Sequence, residues 1–133
     1  MKKGILPLIL LFFFSSFSFA EEEGKTAGYA YYALEPDIIT NYIKPGKRIG
    51  YVRMAVELQL ENSSDLTILQ HHDPLLRDAI IEILGQKSEQ QIKSLSGRDE
   101  IRNECLEAIN KLLVQEEGNK AVAEVIFTKY LYQ

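Results

Sequence analysis

The side chains able to do chemistry are few: the adjacent pair His71-His72 followed by Asp73, a lone thiol at Cys105, and the carboxylate pairs Asp99-Glu100 and Glu116-Glu117. Adjacent side chains on a helix point about 100° apart, so the two imidazoles do not converge on one ion. Asp73 would complete a run of three consecutive ligands, which rarely closes into a cage. As a general base, either ring would need a partner at a defined distance. Cys105 falls in a helical pattern beside Ile101, Ile109 and Leu112, the setting of a small buried hydrophobe. The competing reading of that thiol is an intermolecular disulfide. Asp99-Glu100 is expected in the first turn of a helix, where it would complement the helix dipole. No Gly-x-Ser-x-Gly, phosphate-binding loop, Gly-x-Gly-x-x-Gly or His-Glu-x-x-His pattern is present, so no catalytic, cofactor-binding or metal-binding residues are assigned. Binding is a better reading than catalysis.

The arginines carry that reading. Arg77 and Asp78 lie in the middle of "PLLRDAIIEILG", and Arg98 and Arg102 flank Asp99 at the start of the next long helical pattern. Intramolecular ion pairs and caps explain such charges at little energetic gain when exposed. The sharper reading makes Arg77, Asp78, Arg98 and Arg102 a candidate interaction surface toward another subunit or partner. Tyr29, Tyr31, Tyr32, Tyr42 and Tyr51 crowd the first half. Core packing is their expected use, with an interface second.

The composition sets the frame that must hold these residues. The chain has 133 residues, with 15 basic and 19 acidic side chains and a net charge of −4. The acidic balance argues against a nucleic-acid surface. One Cys excludes an internal disulfide framework. Residues 1–20, "MKKGILPLILLFFFSSFSFA", have a basic start, an apolar run and small residues Ser18 and Ala20 at the end. They meet the criteria of a secretory signal peptide cleaved after Ala20, giving a periplasmic product. The competing reading is an inner-membrane anchor: the uncharged stretch is at the lower limit of a spanning helix, and Pro7 weakens it. Either way the remainder leaves the cytoplasm. Residues 21–28, "EEEGKTAG", read as a flexible acidic leader, and residues 29–133 as one domain.

Within that domain, residues 29–34 and 38–43 read as strand, interrupted by Glu35-Pro36-Asp37. "KPGKRIG" is a turn. Residues 51–60 alternate strictly, with Val52, Met54, Val56, Leu58 and Leu60 on the core side. Leu66, Leu69, Leu76, Ile80 and Ile83 recur at helical spacing, and Pro74 either kinks this helix or starts a second. Ser88 to Gln91 has capping-box spacing. The next helix begins in "SGRDE" and stops at Gly118, and residues 121–133 end the chain as a strand. The order β-β-α-α-α-β, with the last strand returning to the first two, gives a two-layer α+β fold with helices on one face of an antiparallel sheet.

The blocks "YYALEPDIITNYI", "GYVRMAVELQLE", "PLLRDAIIEILG", "SGRDEIRNECLEAINKLL" and "VIFTKYLYQ", in that order, resemble the FliL family of flagellar basal body-associated proteins. The resemblance runs from about Tyr29 to Gln133. It implies a stomatin/prohibitin-like (SPFH-like) extracytoplasmic domain that forms homo-oligomers or rings. It also implies association with the flagellar basal body and its MotA–MotB type stator, supporting stator stability and torque without enzymatic activity. Family members usually carry one transmembrane helix. A cleaved, untethered form could work beside an anchored FliL paralogue, and the alternative reading is a stomatin-like scaffold unrelated to motility.

Overall fold

A computed structural model describes residues 29–133; the signal-peptide and leader assignments lie outside them. Six regular elements follow in the order strand β1 (Ala30–Ile43), strand β2 (Ile49–Leu60), helix α1 (Leu66–Gly85), helix α2 (Glu89–Lys93), helix α3 (Leu95–Glu117) and strand β3 (Val122–Tyr132). The sheet order is β1-β2-β3, antiparallel throughout. The expected α+β architecture is therefore observed, with β2 at the centre. No helix among the described residues is long and apolar enough to cross a membrane.

The strict alternation of β2 decides which face is the floor of the core. Val52, Met54, Val56, Leu58 and Leu60 are all buried. They meet Leu69, Leu76, Ile80 and Leu84 of α1 and Ile101, Cys105, Ile109 and Leu113 of α3 in one continuous core. At helical spacing those positions form one stripe on each helix, so both helices lie on the same side of the sheet. Burying an aliphatic side chain of this size is worth about 1.5–3 kcal/mol, which makes this floor the main support of the fold.

The backbone decides several local readings. Residues 29–34 and 38–43 belong to one strand interrupted at Pro36, as expected: the register shifts between Leu34 and Ile38, and pairing with β2 resumes. Proline cannot donate to the ladder, so an edge-strand bulge is where it is tolerated. Of the two readings of Pro74, the single long helix holds: the proline lies inside α1, where the buried stripe on both sides of it offsets the lost backbone bond. Helix α3 starts one residue before Ser96, with Ser94 as its N-cap: the Ser94 hydroxyl accepts from the Gly97 N–H at 3.0 Å. Asp99 and Glu100 consequently sit beyond the first turn, and dipole complementarity does not account for them. The Ser88–Gln91 capping box is present as expected. Gly118, at φ 83°, ends α3 in a left-handed cap that suits glycine.

Two joints lock the layers together. The Tyr42 ring covers Gly50, its cross-strand partner, and a Cβ at position 50 would overlap that ring. The Tyr42 hydroxyl donates to the Gln133 carbonyl at 2.7 Å, tying β1 to the end of the chain. On the other edge, the Asn110 amide donates to the Val122 carbonyl and accepts from its N–H, at 2.9 and 3.1 Å. This side chain satisfies the backbone groups where β3 begins.

Candidate functional site

Among the described residues, the helices cover only one face of the sheet and nothing covers the other. On it, cross-strand rows run Ile43–Ile49, Asn41–Tyr51 and Ile39–Arg53–Leu131. Period two explains their exposure, since each lies one residue out of phase with a buried position. Ile39, Ile43, Ile49, Tyr51 and Leu131 are exposed by 62, 58, 60, 52 and 57%. Ile39, Tyr51 and Leu131 line a shallow depression of about 380 Å³ next to Tyr132. A second depression, of about 600 Å³, lies where Ile43 and Ile49 meet Ile81 of α1. Contiguous apolar surface of this kind marks an interaction site more often than solvent-facing filler.

A charged band crosses the middle of this face. Asp37 on β1 accepts from Arg53 Nε on β2 at 2.9 Å and from Lys129 Nζ on β3 at 3.2 Å. These two bonds hold the Asp37 carboxyl below the usual carboxylate range. The tyrosines divide by the same parity. Tyr42 is buried and Tyr32 half-buried on the core side, whereas Tyr29, Tyr31 and Tyr51 are exposed. Core packing, the expected use, therefore fails for these last three. Burial, then the bond from its hydroxyl to Asp73 at 2.6 Å, pushes the Tyr32 phenol up to about 12.

The four charged residues singled out from the sequence fall into two separate places. Arg77 lies against β1, where it donates to the Pro36 carbonyl at 2.7 Å, and Asp78 beside it is exposed. Arg98 lies against β3, its guanidinium 4.2 Å from the centre of the Tyr130 ring. Arg102 ion-pairs with Asp99 at 3.9 Å and Glu124 at 3.6 Å. The pairs thus mark opposite edges of the sheet and do not form one patch. Tyr130 in turn donates to the Ile92 carbonyl at 2.7 Å, so Arg98 helps seat the α2–α3 junction on β3.

The remaining candidates have structural places. His71 is exposed, and His72 Nε2 lies 2.7 Å from Glu117 Oε1, linking α1 to the end of α3. Among the described residues, no three His, Cys, Asp or Glu side chains gather as a metal site. Cys105 is buried in the core, as its pattern predicts, and burial pushes its thiol up to about 12. The open apolar face carries no charged or motif signature in the sequence. The odd-numbered phase of β1 and β2, which holds Ile39, Ile43, Ile49 and Tyr51, was the signal available.

Comparison with known proteins agrees with the order of the sequence blocks. Residues 31–133 match the family model described as flagellar basal body-associated protein FliL. The chain is 35% identical over 102 residues to a flagellar protein FliL of Aquifex aeolicus (strain VF5), covering 77% of this chain and 60% of that relative. The chain thus spans well under the full length of the relative it matches.

Proposed function

This chain belongs to the FliL family of flagellar basal body-associated proteins, and from that premise we propose that it is a non-enzymatic accessory of the flagellar motor that binds and stabilises the stator. What supports this reading is that the family match spans every strand and helix described above. In this account the domain acts through surfaces. It assembles with copies of itself, as a homo-oligomer or ring, and contacts the periplasmic part of a MotA–MotB type stator. A scaffold that binds the assembled stator more tightly than the free one shifts the population toward the assembled state. Arg77 with Asp78, and Arg98 with Arg102, are proposed as contacts on the two flanks.

The proposal places the domain in the periplasm, with residues 1–20 either cleaved after Ala20 or kept as an inner-membrane anchor. In the cleaved form, an anchored FliL paralogue would supply the tether. Deleting the gene is expected to reduce swimming and swarming in viscous medium, with recovery on complementation. Unchanged motility in the deletion strain would overturn the motor role and favour a scaffold unrelated to motility.

A further inference from the structure

We propose that the hairpin end of the open sheet face docks on an anionic phospholipid bilayer. Residues 38–56 hold Lys44, Lys47, Arg48 and Arg53 and no Asp or Glu, although residues 29–133 together hold 12 basic and 16 acidic side chains. Lys44 and Arg48 flank the tip, where the Lys44 N–H donates to the Arg48 carbonyl and closes the hairpin. Ile43 and Ile49 face each other directly behind them, both more than half exposed. Ile39, Tyr51 and Leu131 continue the apolar surface, and Arg53 and Lys129 border it. Two acidic groups near this end are engaged. Asp37 is shared by Arg53 and Lys129, and Glu89 pairs with Lys93 while also feeling Lys44 and Arg48.

The pairing of exposed isoleucines with uncompensated cations fits an anionic bilayer interface. The tip is a turn with exposed Ile43 and Ile49 behind the cations Lys44 and Arg48. Lipid accepts isoleucine at the acyl boundary while ammonium, guanidinium and phenol groups stay among the headgroups. Anionic headgroups supply the complementary charge. The chain ahead of β1 is long enough to allow this contact. The apolar run of residues 5–14 is separated from the domain by residues 15–28, which reach at most about 50 Å. Strand β1, with 14 residues, spans about 46 Å. With residues 5–14 in the bilayer, that reach lets the tip touch lipid, and contact through Ile39, Ile43, Ile49 and Tyr51 turns the open face toward the surface. The helices, with Glu82, Glu100 and Glu107, then face away. With residues 1–20 removed, the tip is the domain's own means of staying at the membrane.

The inference goes beyond the motor reading and is tested without a flagellum. An environment-sensitive nitrobenzoxadiazole group is attached at Ile49→Cys in the full chain; buried Cys105 does not compete for the label. The chain is reconstituted in vesicles of phosphatidylcholine, alone or with phosphatidylglycerol. The expected result is a blue-shifted, brighter emission only where phosphatidylglycerol is present, reversed by high salt. Adding Lys44→Gln and Arg48→Gln is expected to lower the tip's lipid occupancy by about 20-fold or more, at about five-fold per cation lost. Both side chains lie at the turn and outside the core, and circular dichroism confirms the fold of each variant. No shift, an equal shift in phosphatidylcholine alone, or indifference to the two charge substitutions would overturn the proposal. So would a shift that grows with protein concentration without vesicles, since a second copy would then be covering the tip.

Discussion

At Asp37 a single carboxylate joins three strands, because Arg53 and Lys129 reach it from β2 and β3. Its pKa is depressed in the fold, so the sign of its contribution is fixed. The contribution is present above the unfolded carboxylate value and is lost as pH falls through the lower folded value. Urea midpoints measured between about pH 5 and pH 2 should therefore fall less steeply for Asp37→Asn than for the native chain. Equal acid limbs would remove Asp37 from the account. Cys105 gives a second check at this scale. Its buried, protonated thiol should resist maleimide in the folded protein and label fully in urea. The burial of Cys105 was legible from the apolar neighbours at helical spacing. The exposure of Tyr29, Tyr31 and Tyr51 was not, because tyrosine satisfies core and surface alike and only strand phase separates them.

Elements meet at a few close contacts whose substitution should be costly. Gly50 sits beneath the Tyr42 ring with no space for a methyl group. Gly50→Ala should destabilise by about 1–3 kcal/mol, the usual cost of overpacking, read as a lower melting temperature. Asn110→Ala leaves the Val122 N–H and carbonyl without their partner and should cost about 1–3 kcal/mol in urea unfolding. The strands and long helices were legible because their periods of two and near four are carried by many residues. The start of α3 was less so. Ser94 and Ser96 are both good caps, and the choice depends on tertiary fit: a Cβ at Gly97 would strike the Gln91 carbonyl. That close approach of α3 to α2 leaves no periodic trace. The continuity of α1 through Pro74 was likewise ambiguous, since a proline inside a helix and one at its start look alike until packing decides.

For the whole molecule, the account joins a one-sided sheet-and-helix domain to a family of flagellar basal body-associated proteins. Family membership was legible because five blocks stand in a fixed order along the chain. Partners were not, because docking surfaces on a sheet face are written in exposure, which depends on the finished fold. The central claim is that the protein supports the stator. Torque should therefore be measured against load on single motors, in deletion and complemented strains. The account predicts reduced torque and fewer engaged stator units at high load in the deletion strain, near-normal rotation at low load, and recovery on complementation. Superimposable torque–load curves in the two strains would contradict it.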